Sequence, residues 1–293
     1  MTSKKMLVLV TLLTLTGLLL AACQPQEVVK EVIVTQEVVV TQEVEVEKEV
    51  IVTQEVEKEV VVTVEVEKEA PAEQTVIFGL YQEPQILNPF IATQTASGET
   101  TAPIIEGLIR VNAEGEYYPQ LAKEVPTEAN GLVVIEGEGE NSKLTVTYNL
   151  LEGVLWSTGE PFTCDDVVFT WEAVMHPESG AVTTSNFENI TSVECTDDFT
   201  AVVTYEPFYG PFLETFWDVI PRHATGDPAE MQKWVYNWAP VGTGPFKMAE
   251  WVPGDHITMV KNENYRDYPE KPLLDKFIIR ITPSREAGMA MIQ

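Results

Sequence analysis

The sequence predicts a mixed α/β globular body carried behind an exported leader and an extended low-complexity tether. Three observations predict it. An apolar run at the amino terminus closes on a cysteine, a Val/Glu repeat without aromatics follows, and strand and helix patterns alternate from Thr75 onward. The expected divisions are a leader at 1–23, a tether at 24–74 and a folded domain at 75–293.

The leader comes first. Lys4 and Lys5 form a positive start, Met6 to Leu20 is apolar apart from Thr and one Gly, and Leu20-Ala21-Ala22-Cys23 places small residues before a cysteine. That is the layout of a secretory signal, and its last four residues match the bacterial lipoprotein signal. Cleavage before Cys23 and acylation of its thiol are expected. The apolar run is shorter than the roughly 20 residues a spanning helix needs. The protein is therefore expected outside the cytoplasm, held to the cell membrane by lipid.

Gln26 to Ala70 is built from Val, Glu, Thr, Gln and Lys, with Val-Thr-Gln-Glu-Val recurring at 34–38, 40–44 and 52–56. Thirteen Glu against four Lys give this stretch a charge of -9. β-Branched residues favour extended backbone, and like charges resist compaction. At about 3.3 Å per residue such a tether would reach on the order of 150 Å. A self-associating stalk is the competing reading, since Val repeats also form coiled coils or stacked strands.

Charge narrows the partners. The chain carries -28, or -30 once Lys4 and Lys5 are removed and 16 basic residues face 46 acids. Such a field repels phosphate backbones and excludes nucleic acid as a partner. It favours a soluble monomer, and it suits cationic solutes. Cys164 and Cys195 remain once Cys23 is assigned to lipid. In an oxidising compartment a Cys164–Cys195 disulfide is expected, two buried free thiols being the alternative.

The domain elements follow in order. Thr75–Leu80 reads as a strand, and Thr101–Arg110 as a helix with Ile104, Ile105, Leu108 and Ile109 on one face. Residues 132–136 and 143–149 read as strands around a polar turn. A helix over 165–175 has Thr163 as cap, Asp166 as capping-box acid and His176-Pro177 as terminator. Strands follow at 189–195 and 199–205, and Asp227-Pro228 opens a short helix. The tail gives strands at 246–251, 257–261 and 276–281, then a helix from Arg285 that runs to Gln293 without a terminator, as in an incomplete chain.

Several blocks, in order, resemble the peptide-type bacterial solute-binding proteins of extracellular family 5, which serve ABC importers. They are Gln82-Glu83-Pro84-Gln85-Ile86-Leu87-Asn88-Pro89, Glu106-Gly107-Leu108-Ile109-Arg110, Pro119-Gln120-Leu121-Ala122, and the run from Glu152 through Trp156 and Gly159 to Thr163. Pro240-Val241-Gly242-Thr243-Gly244-Pro245-Phe246 is the sharpest, with Asn262-Glu263-Asn264-Tyr265 after it. Thr158, Leu151 and Cys164-Asp165 depart from the family pattern. The resemblance implies a class II, two-lobed periplasmic-binding-protein fold, present here mainly as the N-terminal lobe with its extra subdomain. A hinge strand is placed near Phe277–Ile281.

On that reading the chain captures peptides or similar small solutes for a membrane permease. Oligosaccharides and nickel complexes compete as ligands within the class. A secreted hydrolase and a structural surface stalk are the rivals outside it. The expected ligand contacts are Tyr81, Gln82 and Glu83, in the loop after the first strand. Tyr236, Asn237 and Trp238 are the second set, aromatic walls with a polar amide. Trp156 and Phe162 are assigned to core, as are Tyr209, Phe212 and Trp217. His176, His223 and His256 share no spacing that suits a metal or a catalytic group, so no cofactor and no enzyme activity is expected. His256 is expected to be exposed.

Overall fold

A computed structural model describes residues 73–139 and 142–290. The leader, Cys23, the tether up to residue 72 and the last three residues lie outside the described residues. Glu73 and Gln74 are already held by the folded body, through Lys276 and the Asp275 carboxylate.

Two sheets organise the domain. The first runs in the order β1-β10-β9-β8: β1 (Thr75–Leu80) pairs in parallel with β10 (Lys276–Ile281), which pairs antiparallel with β9 (His256–Lys261), itself antiparallel to β8 (Phe246–Val252). The second, fully antiparallel, runs β4 (Val133–Glu136), β5 (Lys143–Asn149), β7 (Thr200–Tyr205), β6 (Ile190–Asp197). A small hairpin joins β2 (Ile109–Val111) to β3 (Tyr117–Pro119). Alternation sets the inner face of the second sheet: Leu144, Val146 and Tyr148 on β5 meet Ala201, Val203 and Tyr205 on β7, and all are buried.

The helix Cys164–Met175 ties the sheets together. Val167 and Val174 pack into the core of the second sheet, while Phe169 and Ala173 pack into the core of the first. Asp166 fixes its start. Its Oδ2 accepts from the Thr163 main-chain N–H and from Trp156 Nε1, both at 3.1 Å, and its Oδ1 accepts from the Arg222 N–H at 2.9 Å. Burial nevertheless pushes this carboxyl above its usual range, against those three donors. Cys164, first residue of the helix, is disulfide-bonded to Cys195 on β6.

One expected helix differs. The helix lies at Thr95–Thr101, and the Thr101–Arg110 stretch bends instead into β2. Pro103 has no N–H to continue the ladder. The carbonyls of Pro103 and Ile104 accept from Phe246 and Gly244 across the fold, at 3.1 and 2.9 Å. Ile104, Ile105, Leu108 and Ile109 are all buried, but around a bend rather than along one helix face. The Asp227 cap accepts from the Ala229 N–H as expected, over a 3-10 rather than an α turn at Pro228–Lys233.

Glycine is required where this bend meets the Gly-Thr-Gly loop. A Cβ on Gly242 would lie 1.8 Å from the Ile104 carbonyl oxygen, and one on Gly107 would lie 1.8 Å from that of Trp217. Backbone cannot swing aside as a side-chain tip can. Gly242→Ala is therefore expected to destabilise by roughly 1–3 kcal/mol or more, read as a lower midpoint in urea. Gly98→Ala, where nothing lies within 4 Å of the new Cβ, is the control and should be neutral or stabilising by up to ~1 kcal/mol. Equal midpoints for the two variants would refute the argument.

Candidate functional site

The loop that follows β1 carries the first expected contacts, and the structure separates their roles. Tyr81 is 73% exposed and Gln82 is exposed beside it. Glu83 is a brace: its Oε1 accepts from Trp251 Nε1 at 3.1 Å and from the Gly254 N–H at 2.9 Å, pinning the β8–β9 turn to this loop.

The second set divides in the same way. Asn237 is buried and spent on scaffold, its Oδ1 accepting from Asn88 Nδ2 at 3.1 Å and its Nδ2 donating to the Met231 carbonyl at 2.8 Å. Its main-chain oxygen accepts from the Leu87 N–H at 2.7 Å. These bonds draw the loop after β1 against residues 235–239, so the two sets belong to one neighbourhood. Trp238 is exposed. Tyr236 is 1% exposed, and its hydroxyl has no hydrogen-bond partner among the described residues. Burial, and then the nearby Asp218 charge, hold its phenol well above the usual range.

The same loop, with the helix Thr95–Thr101, walls a cavity of about 220 Å³. Leu87, Ala92, Gln94, Ser97, Arg110 and Asp218 are among the residues that line it. Ser97 is 2% exposed, and its Oγ has no partner among the described residues. Arg110 is held on three sides. Its Nη2 donates to Asp218 Oδ1 at 2.8 Å and to the Ile105 carbonyl at 3.3 Å, and its Nε donates to Gln120 Oε1 at 3.2 Å. Burial pushes the Asp218 carboxyl up, and Arg110 opposes that shift. A half-buried charge pair lining a concave space is the chemistry of a polar binding pocket.

Sequence reasoning did not single out Ser97, Arg110 or Asp218 as ligand contacts. A signal existed for two of them. Arg110 stands between Ile109 and Val111, and Asp218 between Trp217 and Val219, and a charge inside an apolar run must find a partner when the run is buried. Ser97 carried no such mark.

A second, wide depression of about 530 Å³ lies around Lys123, Glu152 and Asp197. Within it Lys123 pairs with Glu152 at 2.8 Å, and the Asp197 carboxylate accepts from the Phe199 N–H at 2.8 Å and from Thr200 Oγ1 at 3.1 Å. The histidines are dispersed. His223 Nε2 lies 2.8 Å from Thr158 Oγ1, and His176 Nδ1 accepts from the Glu178 N–H at 3.2 Å. His256 is half-buried rather than exposed, because Asp255 at 2.6 Å and Glu250 at 3.5 Å hold its ring. Among the described residues no group of His, Cys, Asp and Glu could hold a metal ion, and no helix is long and apolar enough to cross a membrane. Trp156 and Phe162 are fully buried as expected, whereas Tyr209 and Phe212 are half-buried and packed against the core, and Trp217 is half-buried outside both core clusters.

Comparison with known proteins places this geometry. Residues 116–293 match the family model described as bacterial extracellular solute-binding proteins, family 5 middle. Protein XP55 of Streptomyces lividans is 28% identical over 214 residues, 72% of this chain and 36% of that protein. The oligopeptide-binding protein AppA of Bacillus subtilis is 25% identical over 224 residues, 74% of this chain and 39% of that protein. Among solved structures, the ABC transporter substrate-binding protein CtaP of Listeria monocytogenes superposes with a TM-score of 0.62 at 26% identity, over 75% of this chain and 43% of that one. The chain thus spans less than half the length of the relatives it matches.

Proposed function

Because the chain belongs to the bacterial extracellular solute-binding proteins of family 5, we propose that it is the capture component of an ABC importer, acting by binding alone. Peptides or similar small solutes are the cargo, in line with the oligopeptide-binding relative, and a membrane permease receives them. One observation carries the reading: the cavity of about 220 Å³ at the loop after β1, lined in part by Ser97 and by the Arg110–Asp218 pair. Tyr81, Gln82 and Trp238, which are exposed but do not line the cavity, are proposed as further solute contacts. Glu83, Tyr236 and Asn237 act from behind, by holding the loop and filling the core.

The relatives are about twice as long, and a second lobe closing over the cavity would complete the site. Closure is driven by solute because the solute touches both lobes. β10, an interior strand held by β1 and β9, serves as one of the connecting strands. Ahead of the domain, a leader cleaved before Cys23, a lipid on that cysteine and a Val/Glu tether would keep a monomeric domain near the permease.

The test is a solute panel of short peptides, oligosaccharides and metal chelates, read as a rise in unfolding midpoint. A member of the panel is expected to stabilise the protein, and Ser97→Leu, which fills the cavity, should abolish that rise. A bound solute that stabilises Ser97→Leu as strongly as the parent would remove the cavity from the site. A panel without any stabilising member would sink the capture role.

A further inference from the structure

We propose that Cys195 is a site of covalent thiol exchange, where a small external thiol opens the bridge to Cys164 and caps the protein as a mixed disulfide. The proposal is independent of the solute cavity and rests on how unequally the two sulfurs are presented.

Cys164 is fully buried in the core of the second sheet, as the first residue of the helix Cys164–Met175. Cys195 is exposed. It lies on β6, the outermost strand of that sheet, and the pairing with β7 shifts register directly after it. A disulfide exchanges when a thiolate attacks one sulfur and expels the other. The approach is in line with the S–S bond, from the side opposite the sulfur that leaves. For attack on Cys195 that side points away from the buried Cys164, towards solvent. Attack on Cys164 would have to come through the core.

The step balances without an oxidant. The external thiolate forms a bond to Cys195 Sγ, the Cys164–Cys195 bond breaks, and its electron pair leaves on Cys164 Sγ, which then takes up a proton. Reversal needs no other group. The two Cα atoms stand 5.8 Å apart, so the Cys164 thiol remains beside the cap and can expel it.

Charge sets the class of thiol. Glu194, Asp197 and Asp198 are exposed within three residues of Cys195, on a chain of net charge -28. A thiolate that carries a further negative charge is repelled there, whereas one that carries an ammonium group is not. Capping also releases the helix that packs into both cores, which ties the stability of the domain to the thiols around it.

The test incubates the folded protein with cysteamine, mercaptoethanol or mercaptoacetate at about pH 8, near the usual cysteine pKa of ~8.5. Acid quenching and peptide mass mapping then locate the cap and keep Cys23 apart. The cap is expected on Cys195 in roughly tenfold or greater excess over Cys164, at a rate unchanged by urea below the unfolding transition. Raising salt from ~0.01 to ~1 M shortens the screening length from about 30 to about 3 Å. Exchange with the doubly negative mercaptoacetate thiolate should then accelerate several-fold, while cysteamine changes little. Cys164→Ser, given the disulfide of mercaptoethanol, should hold a stable cap at Cys195, and Cys195→Ser should stay uncapped while folded. Should either variant fail to fold, the mapping of the parent decides alone. A cap mainly on Cys164, no cap at Cys195 in either the parent or Cys164→Ser, or a rate that climbs with urea along the slope of global unfolding overturns the proposal. Equal salt responses for mercaptoacetate and cysteamine overturn the charge selection and leave the exchange site standing.

Discussion

Replacing Arg266 with Met is expected to destabilise the domain by about 3 kcal/mol, a fall of roughly 6–12 °C in unfolding midpoint for a domain of this size. The cause is the carboxylate left behind. The Glu106 side chain is 3% exposed, and Arg266 meets it in a fork, Nη1 to Oε2 at 2.7 Å and Nη2 to Oε1 at 2.9 Å. Thr243 Oγ1 donates to Oε2 as well, at 2.9 Å. Without the guanidinium, one hydroxyl remains to stabilise a charge that water cannot reach. Because Arg266 itself is partly solvated, the effect belongs at the lower end of the range for buried pairs. The double variant Glu106→Gln with Arg266→Met removes the stranded charge and should recover part of the loss. A single-variant loss below ~1 kcal/mol, the scale of a surface ion pair, would show that the fork contributes little.

Removing the cross-link by Cys164→Ala and Cys195→Ala together is expected to lower stability by roughly 3–4 kcal/mol. The bridge closes a loop with a sequence separation of 31 residues. In the chain-entropy account, that closure restricts the unfolded chain more than the folded one. It also joins the first turn of the helix Cys164–Met175 to β6, so its loss loosens the element shared by both cores. Urea denaturation of the parent with and without reductant should reproduce the shift, and the double variant should be indifferent to reductant. Identical midpoints for the parent in the two conditions would refute the contribution. Two titratable thiols in the unfolded, non-reduced protein would refute the bridge itself.

The blocks that carry the family resemblance turn out to be largely one scaffold, which explains why they were legible. Glu106, Thr243 and Arg266 come from three separate stretches and meet in one ion-pair network. Asn262 Nδ2 donates to the Gly244 carbonyl at 2.8 Å, and Asn264 Nδ2 donates to that of Ser157 at 3.2 Å. Each contact depends on one residue type at one place: a glycine where backbones touch, or an amide where a carbonyl needs a donor. Such requirements are written locally and survive as motifs. Most strands and the helix Cys164–Met175 were legible for a similar reason, since alternation, capping and Pro punctuation act within a few residues.

What the sequence by itself determined was the mixed α/β character, the family, most of the element boundaries and the net charge of -28. Tertiary structure alone decided where the 101–110 stretch bends, because carbonyls of Pro103 and Ile104 bond to Gly244 and Phe246, far along the chain. It alone decided the pocket as well. Ser97, Arg110 and Asp218 share a cavity only after the loop following β1 is pulled against residues 235–239. The physical reason is range: backbone propensity and capping are short-range, whereas a cavity is the space that distant segments leave when they pack.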